Sequence, residues 1–361
     1  MFSDDTLSIN FHYSATESNP RADDDEVKAT VITEEAKAPS INNDTLAPLQ
    51  AVYVPYNSVS ASGLDSYLIT LDAYHGNTVI LQMKPENGYL IWDSGTSLSQ
   101  SYGTSGITPL RAILNSLHDD GIHVVADISC FVDNAIASRS QALALSNRMN
   151  QVYSDTYGSW LDPYNRDVQD YVVELVEELC ALGFDEILLS NYCLPVEGVM
   201  GDRQAEAQAA NDAANNAANN TTDTSDTASD STDGDAADTA EPQIDLSVYY
   251  VNSESPAPIT TLLSSLAERI HAVTSAENVL LSIRCDNTVL RSNSSLGSRT
   301  GQELSMLLER FNRVYCNTNA ENLDSDIAIM KALLDDALSY RFVPIMRSNP
   351  AGDETSSWAI R

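Results

Sequence analysis

Residues 166–190 read RDVQDYVVELVEELCALGFDEILLS, and this stretch decides the fold. Val168, Tyr171, Val172, Leu175, Val176 and Leu179 recur at helical spacing, so one apolar stripe runs along a helix over 167–182. Gly183 stops that helix. The run EILLS at 186–190 then reads as a short strand buried on both faces. A helix halted by glycine just before a buried strand is half of a parallel crossover unit.

Moving outward, the same order recurs. Upstream, 109–119 (PLRAILNSLHD) carries Leu110, Ile113, Leu114 and Leu117 on one face, stops at Asp120-Gly121, and leads into the strand HVVADIS at 123–129. Earlier strands are read at 51–56 (AVYVPY) and 78–83 (TVILQM). Downstream come a helix at 259–273, a strand at 278–285, a helix at 301–311, a strand at 313–317, a helix at 327–338, a strand at 341–346 and a last short strand at 357–360. Parallel strands joined by right-handed crossovers follow from this alternation. Seven or eight units with no glycine-rich phosphate loop after the first strand predict a closed (β/α)8 TIM-type barrel rather than an open sheet.

The chain has 361 residues, 43% of them hydrophobic, and a formal charge of −33. Nucleic acid and anionic membrane surfaces attract Lys and Arg, so that balance argues against both as partners. No apolar run is long enough to insert in a membrane, and the start MFSDDTLSINFHY has no secretion-signal pattern. Residues 1–47 hold 10 acids and 3 bases, and residues 201–243 hold 10 acids and 1 base with no large apolar side chain. Both segments are expected to be disordered, because neither can bury enough surface to offset chain entropy. The expected organisation is an acidic N-terminal segment at 1–47 and a barrel over 48–361, interrupted after the fourth strand by the low-complexity insert at 201–243.

Cys130, Cys180, Cys193, Cys285 and Cys316 form no C-x-x-C pair, and their odd number excludes a complete disulfide framework. Cys130, Cys193, Cys285 and Cys316 fall near strand ends, but alternation turns the first three toward the surrounding helices, so no metal site is expected. Neither is a cofactor, nor a Ser-His or Cys-His triad.

The segment Trp160-Leu161-Asp162-Pro163-Tyr164-Asn165, followed by its helix and Gly183-Phe184-Asp185-Glu186-Ile187, resembles a glycoside-hydrolase barrel domain family of bacterial envelope proteins. Val52-Tyr53-Val54, Met83-Lys84 with Gly88-Tyr89 and Asp93-Ser94, Phe131 with Asp133, and Thr300-Gly301-Gln302 agree in order. The resemblance implies a protein that acts on or binds carbohydrate such as cell-wall glycan, in an extracellular or cell-envelope setting. It also shows departures. The family's inward acids on strands two, four and five correspond here to Gln82, Ser190 and Arg284, and its strand-four arginine to Cys193. The alternative implied is a pseudoenzyme, a non-catalytic carbohydrate-binding or scaffold barrel.

Period-two alternation from those positions predicts Gln82, Lys84, Asp127, Ser129, Ser190, Tyr192, Arg284 and Asp286 facing the lumen. An unpaired buried charge is costly, so Asp127 and Arg284 are expected to pair. Hydrolysis of a glycoside needs two carboxyl groups, and the candidates are Asp127 and Asp286, with Asp133 as a further rim acid. Lys84, Tyr192, Arg284 and Trp160 are the candidate substrate-binding residues. Asp162, before Pro163, reads as a helix cap.

Overall fold

The computed structural model describes residues 46–220, 244–253, 256–292, 294–347 and 357–361. Eight parallel strands form a closed barrel: β1 Gln50–Val54, β2 Thr78–Lys84, β3 His123–Ser129, β4 Glu186–Ser190, β5 Leu280–Cys285, β6 Arg313–Asn317, β7 Phe342–Met346 and β8 Trp358–Ile360. Each pairs with its neighbour in chain order, and β8 returns to β1 with Trp358 opposite Gln50. The first strand stops short of the expected range, since Pro55 has no N–H to extend the ladder.

Alternation divides the strand residues between two cores. Val79, Leu81, Val124, Ile187, Leu189, Ile283 and Val314 face the helices in one large cluster. Tyr53, Ile80, Val125, Leu188, Tyr315 and Val343 fill the lumen in another. The chief covering helices are α1 Asp65–Ala73, α2 Leu110–Asp119, α3 Arg166–Leu182, α5 Ile259–Ala276, α6 Leu304–Arg310 and α7 Leu323–Leu334, with α4 Arg203–Asn220 lying in the insert. The α3 stripe read from the sequence is buried throughout, from Val168 to Leu179. Each large aliphatic side chain so placed contributes about 1.5–3 kcal/mol. No helix among the described residues is long and apolar enough to cross a membrane.

Below the apolar lumen layer, at the N-terminal ends of the strands, Glu186 is fully enclosed. It pairs with Arg313, accepts from the Tyr315 hydroxyl at 2.8 Å and lies 3.2 Å from His123 Nε2. Burial alone would raise its carboxyl, but the Arg313 guanidinium together with His123 outweighs that and holds it at about 2.

The loops after β3 and β4 build a small sheet at the other end. Ser146–Asn147 runs antiparallel to Val248–Tyr250, which pairs in parallel with Val199–Met200. Asp162 ties these loops together: it accepts from Tyr164 N at 2.9 Å and from Asn252 N at 2.6 Å. The cap of α3 is instead Asn165, which accepts from Asp167 N at 2.9 Å. Asp162 misses the cap because its second oxygen is taken by the backbone N–H of Asn252, ninety residues away. Burial raises its carboxyl to about 6.

The insert departs from expectation in its first part, where 203–220 is helix α4. Alanine-rich sequence has high helix propensity, and the first turn has partners. Arg203 lies 4.3 Å over the Tyr250 ring and bonds Asn150 Oδ1 at 2.9 Å, while the Tyr250 hydroxyl donates to Glu206 at 2.7 Å. Residues 221–243, and 1–45 of the N-terminal segment, lie outside the described residues.

Candidate functional site

At the C-terminal ends of the barrel strands a pocket of about 270 Å³ is lined by Glu86, Tyr157, Trp160, Ser190, Asn191, Arg284, Asp286, Gln302 and Arg361, among others. Active sites of this architecture lie on that face. A larger hollow of about 620 Å³ lies beside Val199–Met200 and the start of α4, lined by Met200, Arg203 and Asn252. No residue of a barrel strand reaches it, so the mouth pocket is the candidate site.

The floor of the pocket is built on Asp127, on β3. Its carboxylate accepts from the Tyr53 hydroxyl at 2.6 Å, from Arg284 Nη2 at 2.8 Å, and from the Ser190 hydroxyl. The expected pairing of Asp127 with Arg284 is therefore direct. With three donors around it and only 2% exposure, Asp127 has neither oxygen open to a ligand. Tyr53 lies beneath two guanidiniums, Arg284 at 5.4 Å and Arg361 at 5.2 Å from its ring. Burial and the adjacent carboxylate push the Tyr53 phenol well above its usual range, which keeps it a neutral donor. Burial opposes the charge on Arg284, yet Asp127 and Tyr53 more than compensate and the guanidinium stays protonated.

The wall opposite is set by Gln302, in the Gly-Gln step after β5. Its amide accepts from Asp286 N at 2.9 Å and donates to the Arg284 carbonyl at 3.1 Å, fixing the turn out of the strand. Asp286 then caps a short helix, accepting from Thr288 N at 2.7 Å, and takes the Tyr157 hydroxyl at 2.7 Å on its other oxygen. Burial, with Asp286 beside it, raises the Tyr157 phenol, so it too donates as a neutral group. Glu86, just past β2, lines the same pocket and adds its field to that of Arg284. Among the described residues its carboxylate accepts no hydrogen bond.

The remaining sequence candidates lie elsewhere. Lys84 was expected in the lumen, but a register shift between Gln82 and Lys84 breaks the alternation. Its ammonium is buried between Asp133, at 2.9 Å, and the Ser129 carbonyl, at 2.7 Å, 5.9 Å from the α3 ring of Tyr171. Tyr192 was expected inward as well. Asn191 before it adopts a left-handed backbone with φ of 51° and reverses the direction. Tyr192 consequently packs against Phe131 and Phe311 and donates to the Leu263 carbonyl at 2.7 Å. Asp133 is sealed with Lys84 and caps 134–137. Trp160 borders the pocket but is 1% exposed. Cys193 and Cys285 reach the wall, and burial raises both thiols far above thiolate range. Among the described residues no three His, Cys, Asp or Glu side chains converge as a metal site requires.

Several lining residues, Glu86, Tyr157 and Arg361 among them, were not anticipated. Glu86 carried a signal all the same, since it follows Pro85 immediately beyond a barrel strand, on the side where active sites lie. Tyr157 carried none, because it reaches Asp286 from a loop 129 residues earlier.

The family described as “Putative glycosyl hydrolase domain” matches residues 51–274, which span β1 to most of α5. The chain belongs to this family. Among solved structures, the glycoside hydrolase domain of PgaB (BpsB) from Bordetella bronchiseptica is similar over 87% of this chain and 94% of its own, with 12% identity and a TM-score of 0.51. That likeness is one of fold. A hypothetical protein from Ruminiclostridium thermocellum is 27% identical over 40% of this chain and 77% of its own, with a TM-score of 0.37. The glycoside hydrolase domain of PelA from Pseudomonas aeruginosa matches 83% of this chain and 84% of its own at 12% identity, with a TM-score of 0.41. No curated protein matches. Family membership makes the barrel glycoside-hydrolase-like, and its βα-loop pocket lies on the face where active sites of this architecture lie.

Proposed function

We propose that the mouth pocket binds a sugar residue of a cell-envelope glycan, in a barrel where Gln82, Ser190 and Arg284 stand in place of the family's usual inward acids. The observation that carries this reading is the pocket's mixed lining. Arg284, Arg361, Asn191 and Gln302 offer donors, Glu86 and Asp286 offer acceptors, and Tyr157 supplies an aromatic edge. A ring of hydroxyls both gives and takes hydrogen bonds, which suits such a wall. At about 270 Å³ the pocket falls just under the usual ~300–1,000 Å³ of ligand sites, so it suits a terminal sugar better than a long segment of chain. An extracellular or envelope setting rests on the resemblance to envelope proteins.

The second reading is a non-catalytic carbohydrate-binding or scaffold barrel. It is favoured by Asp127, whose oxygens are already taken by three donors within the protein.

A glycan array probed with the full chain tests the assignment. Asn317, exposed at the end of β6 and lining the pocket, is the site for a blocking Asn317→Trp variant. Binding by the wild type that is lost in the variant, at an unchanged melting temperature, is the expected result. Silence across the array, or equal binding by both, overturns the reading.

A further inference from the structure

We infer that the sugar taken by the mouth pocket carries a carboxylate, and that Arg361 receives it. This rests on the carbohydrate reading above and names the class of sugar. With 52 acids and 19 bases in the chain, a cation without an acidic partner is conspicuous. Arg361 is one. Among the described residues its guanidinium makes no ion pair and no hydrogen bond, and it lines the pocket.

The strand before it places that side chain. Ala359 belongs to the lumen cluster, so alternation turns Arg361, two positions on, to the same side. Its N–H donates to the Met346 carbonyl at 2.7 Å, which fixes the backbone to β7. The guanidinium then lies 5.2 Å from the centre of the Tyr53 ring, and Arg284 lies 5.4 Å from the same ring. An aromatic face attracts both cations. Asp127 pairs with Arg284 alone, so one positive charge is left open to the pocket.

The charges around the mouth divide its walls. Glu86 follows β2 and Asp286 follows β5, two and three strands around the barrel from β8. Each oxygen of Asp286 already accepts a bond, from Tyr157 or from Thr288 N, whereas Glu86 offers its oxygens to ring hydroxyls. The sugar carboxylate is therefore assigned to the β8 side and the hydroxyls to the β2 and β5 sides. A guanidinium meets a carboxylate through two parallel N–H···O bonds, stronger than those between neutral groups. Arg284 adds a buried N–H, on Nε, that has no acceptor among the described residues, a donor that a ligand oxygen would satisfy. The net charge of −33 acts weakly against this, since salt screens exposed charges beyond about 8–10 Å and a single carboxylate reads the groups nearest to it.

The test is calorimetric titration of the full chain with glucuronic acid, galacturonic acid and N-acetylmuramic acid, each beside its neutral counterpart, glucose, galactose or N-acetylglucosamine. At least one acid is expected to bind about 10-fold or more tightly than its counterpart. Arg361→Gln should bring that ratio close to one at an unchanged melting temperature, because the side chain holds no other protein group by a hydrogen bond. Asn317→Trp should abolish binding of the acid, which locates it in the mouth pocket. Equal affinity for acid and counterpart, a ratio that survives in Arg361→Gln, or tighter binding of glucose 6-phosphate than of glucuronic acid overturns the inference. So does an array on which only neutral glycans bind, a result that would leave the carbohydrate reading standing. Silence on the array and in every titration would remove the two together.

Discussion

At the scale of single residues, the decisive group is Asp127. A carboxylate at 2% exposure is tolerable only because Arg284, Tyr53 and Ser190 all donate to it. Removing one partner of a buried pair leaves the other charge uncompensated, which costs about 3–5 kcal/mol. Arg284→Met is therefore expected to lower the free energy of unfolding by that amount in urea titrations, and Asp127→Asn added to it should recover part of the loss. A single variant as stable as wild type would contradict this account. These inward positions were legible in the sequence because strand alternation has a period of two and holds for as long as the strand does. It failed at Lys84 and Tyr192 for local reasons, a bulge in one case and the left-handed Asn191 in the other, and neither leaves a mark in hydrophobic pattern.

At the scale of elements, helices and strands were legible wherever an apolar stripe or run ended at a stop signal, as in α2, α3, β3 and β4. Boundaries were read less well where the backbone itself intervenes. The helix expected from 301 begins at Leu304, because Gly301 has φ of +87° and separates it from the turn before. A Cβ at Gly301 would lie 2.5 Å from Leu263 Cδ1 on α5. Gly301→Ala combines a left-handed backbone with that clash, and we expect it to cost about 1–3 kcal/mol. Since Gln302 follows directly and braces both Arg284 and Asp286, the same variant should weaken sugar binding in a titration while Gly121→Ala, also at positive φ but with open space around its Cβ, should leave binding unchanged. The pocket was only partly legible because its walls join loops distant in sequence, Tyr157 with Asp286 and Asp162 with Asn252.

At the scale of the whole molecule, the barrel carries an ionic cluster at its base and another beneath its mouth, with apolar side chains between. The lower cluster sets an acid limit. Glu186 sits at about 2 in the folded chain against 4.5 when free, so the stability it confers is complete above about pH 4.5 and is lost as pH falls toward 2. That amounts to about 3 kcal/mol. Asp162, raised to about 6, acts in the opposite sense and removes some stability as pH rises through that value. Urea midpoints at pH 7, 4.5 and 3 should fall steeply over the last interval, and Glu186→Gln should flatten the slope; an unchanged slope in the variant would refute the assignment. The three-residue β8 has its own consequence. It seals β1 to β7, and Leu49 N bonds the Ser357 hydroxyl across 308 positions of chain. During synthesis the opening strand thus waits with an unsatisfied edge until β8 has been made, long after it. Ring closure becomes a late, slow event, and the nascent chain depends until then on whatever shields that edge in the cell.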